Sequence, residues 1–297
     1  MTYFGAIETG GTRCSCAIGD DAGNIIKKEV FPTIKPEMTM PQIFKFFIHE
    51  HAKTKLDAIG IACFGPLDLH KESPTYGSIT TTPKPSWSHF NIVQAIKTAV
   101  SVPIGFDTDV NGAALGEQRW GAAAGIDTFI YITVGTGIGV GGIIYNHLMH
   151  GLIHPEMGHI SIPRYRGDNF ESVCPFHENC LEGLASGPAI EKRWNVKAAT
   201  DLPDDHEAWD LEAYYLGTAI ANWSLTISPK KVILGGGLLN KKSLMDKVRK
   251  ECQKSLNGYL KHKIILGNID EYIVFPKRMG ESGLLGALAL AERAREV

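Results

Sequence analysis

The chain has 297 residues, which at roughly 150 residues per domain predicts about two domains and ample length for a large buried core. Its 44% hydrophobic and 21% charged residues exclude a disordered or fibrous chain. Thirty basic against thirty-two acidic residues, a formal charge of −2, argue against a large nucleic-acid footprint. No stretch reaches the roughly 18 consecutive apolar residues of a membrane span, and no basic segment leads into an apolar one at the N-terminus, so a cytoplasmic protein is expected. Thirty-two glycines exceed the usual share of about 7%, and they are clustered, as where backbone must approach a ligand.

Residues 3–7 and 13–18 read as short strands around Glu8-Thr9-Gly10-Gly11-Thr12, and after a turn at 20–24 a third strand runs over 24–31. A helix is expected over 42–53, with Thr39 or Met40 at its cap and Pro41 in its first turn. Residues 56–63 form an apolar strand ending at Phe64-Gly65-Pro66, and 74–87 is a Thr- and Pro-rich loop. A helix over 90–100 and a strand over 104–106 lead to Asp107-Thr108-Asp109, where a helix over 111–120 can open.

A second half begins near residue 126, giving expected lobes of 1–125 and 126–297. Strands at 128–134 and 141–145 flank Gly135-Thr136-Gly137-Ile138-Gly139, and helices are expected at 181–194 and 211–227. A strand at 231–234 runs into Gly235-Gly236-Gly237, followed by a helix at 244–256, a strand at 272–275 and a closing helix at 282–295. The halves resemble one another: strand, glycine–threonine corner, strand. Two unrelated tight turns would give this pattern, and so would a duplicated hairpin that cradles phosphate.

Glycine corners leave several backbone N–H groups pointing into one small space, which suits anionic oxygens, and threonine adds a hydroxyl donor. Gly10-Gly11-Thr12, Gly135-Thr136-Gly137 and Gly235-Gly236-Gly237 are three such elements. No G-x-x-x-x-G-K-[ST] is present, which excludes a P-loop. Residues 137–142 satisfy G-x-G-x-x-G but precede a strand, whereas the dinucleotide fingerprint must open a helix.

His159, Cys174, His177 and Cys180 form H-x14-C-x2-H-x2-C. Two soft thiolates and two imidazoles suit a closed, tetrahedral Zn²⁺ site. His147, His150 and His154 read as ordinary surface histidines, and Cys14, Cys16, Cys63 and Cys252 as small core residues.

Glu8-Thr9-Gly10-Gly11-Thr12-Arg13 resembles the D-x-G-G-T-K signature of the ROK family of sugar kinases, in the actin-like superfamily. Residues 132–139 resemble its second phosphate loop and Leu234-Gly235-Gly236-Gly237 its adenosine motif. Thr82-Pro83-Lys84-Pro85 with Trp87, Thr108-Asp109-Val110-Asn111-Gly112-Ala113-Ala114, His154-Pro155-Glu156-Met157-Gly158-His159 and Cys174-Pro175-Phe176-His177 are similar to bacterial ROK fructokinases. Glu8 and Arg13 stand where the family usually has aspartate and lysine, and His177 departs from its usual cysteine-rich pattern.

The resemblance implies a two-lobed actin-like (ribonuclease H-like) α/β fold and ATP-dependent conversion of D-fructose to fructose 6-phosphate, with ATP, Mg²⁺ and Zn²⁺ as cofactors. Residue by residue, it implies nucleotide contacts at Gly10, Gly11, Thr12, Thr133, Gly135, Thr136, Pro188, Gly236, Gly237, Leu238, Leu239 and Asn240. It implies sugar contacts at Gly65, Pro66, Asn111 and Glu156. Asp109 and Asp107 both sit at a strand-to-helix boundary, where an aspartate is more often a helix cap than a base. The resemblance selects Asp109 as the general base. It also implies a homodimer whose partners are a sugar and ATP, with no nucleic acid or membrane. Other readings are a broader mannokinase or glucokinase, a ROK-type sugar-sensing regulator, for which the early first strand leaves no room for a preceding helix-turn-helix, and a zinc hydrolase, which would need an open metal position.

Overall fold

The computed structural model describes residues 2–82 and 84–296, so Pro83, within the stretch 82–85, lies outside the described residues. β1 (Tyr3–Thr9), β2 (Arg13–Asp20) and β3 (Ile25–Pro32) form an antiparallel meander. α1 (Pro36–Lys53) leads to β4 (Ala58–Cys63) and α2 (Ile92–Ala99) to β5 (Ile104–Thr108), which add in parallel to give the order β3-β2-β1-β4-β5.

After α3 (Asp109–Trp120) the plan repeats. β6 (Phe129–Val134), β7 (Ile138–Ile144) and β8 (His147–Leu148) form the second meander. α4 (Leu181–Ala185), α5 (Gly187–Trp194) and α6 (Ala208–Thr226) precede β9 (Val232–Gly235). α7 (Lys242–Leu256), α8 (Lys263–Leu266) and α9 (Ile269–Tyr272) precede β10 (Ile273–Val274), and α10 (Ser282–Arg295) follows. The second sheet reads β10-β9-β6-β7-β8, the same connectivity as the first. The corners at Gly10 and Gly135 are therefore equivalent points, each closing the first hairpin of its sheet.

α3 and α10 lie between the two sheets and share one core with Phe4, Ala58, Phe129, Tyr131 and Ile233. Small residues make this layer thin. A Cβ on Gly286 of α10 would lie 2.1 Å from the carbonyl carbon of Gly112 in α3, and one on Gly60 of β4 would lie 1.7 Å from the Ala287 oxygen. The remaining faces are covered by α1 and α2 on the first sheet, through Ile43, Phe47 and Ile96, and by α6 and α7 on the second, through Trp209, Tyr215, Ile220 and Leu244. Truncating one such buried leucine to alanine costs about 2–5 kcal/mol. Among the described residues no helix is long and apolar enough to cross a membrane.

Of the boundaries that differ from the sequence reading, three have a clear local cause. α1 opens at Pro36 rather than near Pro41, because Pro36 occupies the first turn and Thr39 Oγ1 donates to the Pro32 carbonyl and accepts from the Ile34 amide. The helix expected over 181–194 is broken at Ser186, since the Pro188 ring would clash with a carbonyl one turn earlier in a continuous helix. β7 begins at Ile138, three residues early, because pairing with β6 overrides the poor strand propensity of Gly139 and Gly141.

Candidate active site

The two glycine corners face each other. A Cβ on Gly11 would lie 3.7 Å from Thr136 Cγ2 and 3.9 Å from Lys84 Cε. On the second-sheet side, the Gly187 amide at the start of α5 donates to the Gly135 carbonyl at 2.7 Å, and a Cβ on Gly135 would lie 3.8 Å from the Gly237 amide. Gly135, Gly187 with its neighbour Pro188, and Gly237 thus converge from three separate segments. Gly236, at φ 97°, needs the conformation that glycine alone adopts readily, and Val134 backbone atoms sit 2.3 Å from where its Cβ would be. Thr133 pairs with Gly235 at the end of β6. Leu238 and Leu239 turn into the core, so only their backbone can serve a ligand, whereas Asn240 is exposed.

At the end of β5 the structure separates the two aspartates. Asp107 is buried and fully engaged: Oδ1 accepts from the Thr108 amide at 2.7 Å and Asn111 Nδ2 at 2.9 Å, and Oδ2 meets His150 Nε2 at 2.8 Å. The cap of α3 is Thr108, whose hydroxyl accepts from the Asn111 amide at 3.1 Å. Among the described residues Asp109 is engaged by local backbone amides alone, with Oδ1 accepting from the Val110 amide at 2.9 Å. Burial, with Glu8 and Glu156 nearby, pushes its carboxyl up to about 7. A carboxylate that titrates near neutrality suits proton acceptance.

Asn111, the sugar contact that the family motif implies, is already engaged within the protein. It is buried, its amide nitrogen reaches Asp107 and the Met149 carbonyl at 3.4 Å, and its oxygen accepts from the Gly142 amide at 3.2 Å. It braces α3 against β7.

Gly65 and Glu156 do come together. A Cβ on Gly65 would lie 3.0 Å from His154 Cε1 and 3.4 Å from Glu156 Oε1. His154 corrects the expectation of a surface histidine: it is buried, with Nε2 accepting from the Leu67 amide at 2.9 Å and Nδ1 3.5 Å from Glu156 Oε1. Accepting at Nε2 requires a lone pair there, and burial lowers the ring's pKa, so the imidazole is neutral. His150 is likewise no plain surface residue, since Asp107 raises its pKa. The walls around Glu156 push its carboxyl up to about 7, and Glu182 adds to the rise.

His159, Cys174, His177 and Cys180 converge, with all four ligand atoms within 4.8 Å of one another. Cys174 Sγ lies 3.8 Å from His159 Nδ1 and 3.5 Å from His177 Nδ1, and Cys180 Sγ lies 3.6 Å from His159 Nδ1. Zn–S and Zn–N bonds of about 2.3 and 2.0 Å place tetrahedral ligands about 3.5 Å apart, so the donor set fits such an ion in type and spacing. The cluster is tied to the cleft by Glu182, which the sequence reading missed. Its Oε1 lies 3.6 Å from His159 Nε2, and its Oε2 accepts from the Ile138 amide at 2.9 Å. A carboxylate on the outer nitrogen is the usual means of orienting a metal-binding histidine.

A sequence model of the ROK family matches residues 4–294. The chain belongs to the ROK family. A Bacillus subtilis (strain 168) relative is 46% identical over 291 residues, covering 98% of this chain and 96% of its own. The fructokinase of Pediococcus pentosaceus is 41% identical over 292 residues, covering 98% of both chains. Among solved structures, the ROK hexokinase from Thermus thermophilus superposes with a TM-score of 0.78 at 25% identity, covering 98% of each chain. The two-lobed α/β fold is thus the fold of ROK sugar kinases, and the facing corners lie where its two sheets repeat one another.

Proposed function

We propose that this protein is a fructokinase, transferring the γ-phosphoryl group of ATP to D-fructose to give fructose 6-phosphate. The observation that carries the reading is the pair of facing glycine corners at Gly11 and Thr136, with the little-engaged carboxylate of Asp109 following β5 at the same end of the first sheet as Thr9. Full-length similarity to proteins named as fructokinases supports the choice of sugar.

ATP lies between the corners, with Gly10, Gly11, Thr12, Thr133, Gly135 and Thr136 around its phosphates and Pro188 and the segment 236–240 around its nucleoside. Fructose lies against Gly65, Pro66 and Glu156. Asp109 accepts the proton of the attacking hydroxyl. Phosphoryl transfer otherwise asks chiefly for alignment and charge neutralisation, to which Mg²⁺ bound with ATP contributes. The four Cys and His ligands hold Zn²⁺, which shapes the segment 156–182 and takes no part in the transfer. A homodimer in the cytoplasm, with lobes dividing near residue 126 and α10 returning to the first sheet, completes the reading.

The test is ADP formation on adding sugar, Mg²⁺ and ATP, run over fructose, mannose and glucose. Fructose is expected to give the highest kcat/KM. Absence of sugar-dependent ADP with every hexose would overturn the proposal, and a higher kcat/KM for glucose or mannose would reassign the substrate.

A further inference from the structure

Lys84 reaches the glycine corners from outside either hairpin. It comes from the segment between β4 and α2, yet its Cε lies 3.9 Å from where a Gly11 Cβ would be, beside Thr136. Its ammonium sits over the Phe64 ring, 6.0 Å from the centroid, next to Gly65 of the proposed sugar loop. The side chain therefore lies at the junction of phosphate corners and sugar loop. No carboxylate among the described residues pairs with it. A half-buried ammonium held over an aromatic face, without a counter-ion, is available to an incoming anion.

The segment that presents Lys84 is anchored. Lys84 caps a short 3-10 turn, Pro85–Trp87, and its carbonyl accepts from the Trp87 amide at 2.9 Å. Trp87 is fully buried, its ring nitrogen donates to the Ile34 carbonyl at 3.2 Å, and its ring packs edge-on against Phe64 and Phe90. The base of the lysine is thus fixed while its four-carbon stem can swing from the Phe64 face toward the corners.

We propose that Lys84 is a catalytic residue of the transfer, its ammonium bonding the phosphoryl group as it passes from nucleotide to sugar. The inference rests on the fructokinase reading above. In the step, the sugar hydroxyl oxygen forms the new bond to the γ-phosphorus and its proton passes to Asp109. The bond from that phosphorus to the bridging oxygen breaks, leaving its electron pair on ADP. Lys84 stays protonated throughout and neutralises charge on the non-bridging oxygens, where preorganised donors act most strongly.

The experiment compares wild type with Lys84→Met and Lys84→Arg in three readouts: steady-state kinetics with fructose, Mg²⁺ and ATP, calorimetric binding of fructose without ATP, and thermal midpoint. Lys84→Met is expected to lower kcat by about 10²–10³-fold, as removal of one transition-state donor does elsewhere. Its fructose affinity should stay within threefold of wild type and its midpoint should not move, while Lys84→Arg keeps more activity than Lys84→Met. A Lys84→Met kcat within threefold of wild type would overturn the proposal. So would a joint loss of kcat, fructose affinity and midpoint, which would make Lys84 a prop for its loop. A wild-type protein that phosphorylates no hexose would instead overturn the reading on which this one stands.

Discussion

The Leu67 amide of the first lobe donates to His154 Nε2 of the second at 2.9 Å, while the other ring nitrogen of His154 faces Glu156. One neutral imidazole thereby ties the turn carrying Gly65 and Pro66 to the carboxylate on the opposite wall. His70 adds a second stitch, its Nε2 lying 2.8 Å from the Leu152 carbonyl. The turn carrying Gly65 and Pro66 is thus held to the 152–156 segment by contacts distant in sequence, whereas each glycine corner closes its own hairpin.

His154→Phe keeps the ring and removes both polar contacts. An unsatisfied buried amide costs about 1–3 kcal/mol, so the KM for fructose should rise about tenfold while the KM for ATP stays put. His154→Gln, which returns an acceptor near Nε2, should recover most of the loss. Steady-state kinetics with each substrate varied in turn checks the split.

Asp109→Asn should lower kcat by about 10²–10⁴-fold and leave fructose binding largely intact. A base at Asp109 must be ionised to accept a proton, and its pKa in the free protein is pushed up to about 7, so on the proposed role wild-type kcat/KM for fructose should fall as pH drops through that value. The same shift has a stability consequence of opposite sense. The unfolded chain loses this proton near pH 4 and the folded chain near 7, so the folded protein loses stability as pH rises between them. Asp109→Asn should therefore melt above wild type at pH 8 and with it at pH 3, as thermal melts at the two values would show.

Asn111→Ala separates bracing from recognition. It strips a partner from the buried Asp107 carboxylate and from the Gly142 amide, so stability should fall by about 3 kcal/mol. Chemical denaturation of the variant, beside Asp109→Asn, should show instability in the first and not the second.

Metal analysis should find one Zn²⁺ per chain, and Cys180→Ser should lose metal, thermal stability and fructose affinity together. The link runs through His159 and Glu182 to the Ile138 amide, beside the second glycine corner. Magnesium should still be required, because four protein ligands saturate the zinc. Absence of zinc from freshly purified protein would refute the cluster's identity. Full activity after complete zinc removal would break its link to the cleft.

Local signals made much of this legible. The corners at Gly10 and Gly135 and the Cys–His spacing are short motifs whose chemistry is written in adjacent residues. The repeated strand–corner–strand pattern pointed to two equivalent sheets, and α10 spans the very residues its alanine–leucine periodicity suggested. What stayed hidden depends on partners distant in sequence. Nothing near His150 or His154 announces Asp107 or Leu67, and nothing near Asn111 announces the Gly142 amide of β7. No local signal marks Glu182, because its two partners, His159 and Ile138, belong to different motifs.

A single turnover of enzyme-bound ATP with fructose, quenched and assayed for both products, tests phosphoryl transfer with Asp109 as the base. The wild type should give equimolar ADP and fructose 6-phosphate, and Asp109→Asn should bind fructose but form neither product on the same timescale. ADP without sugar phosphate, or equal product from both proteins, would contradict it.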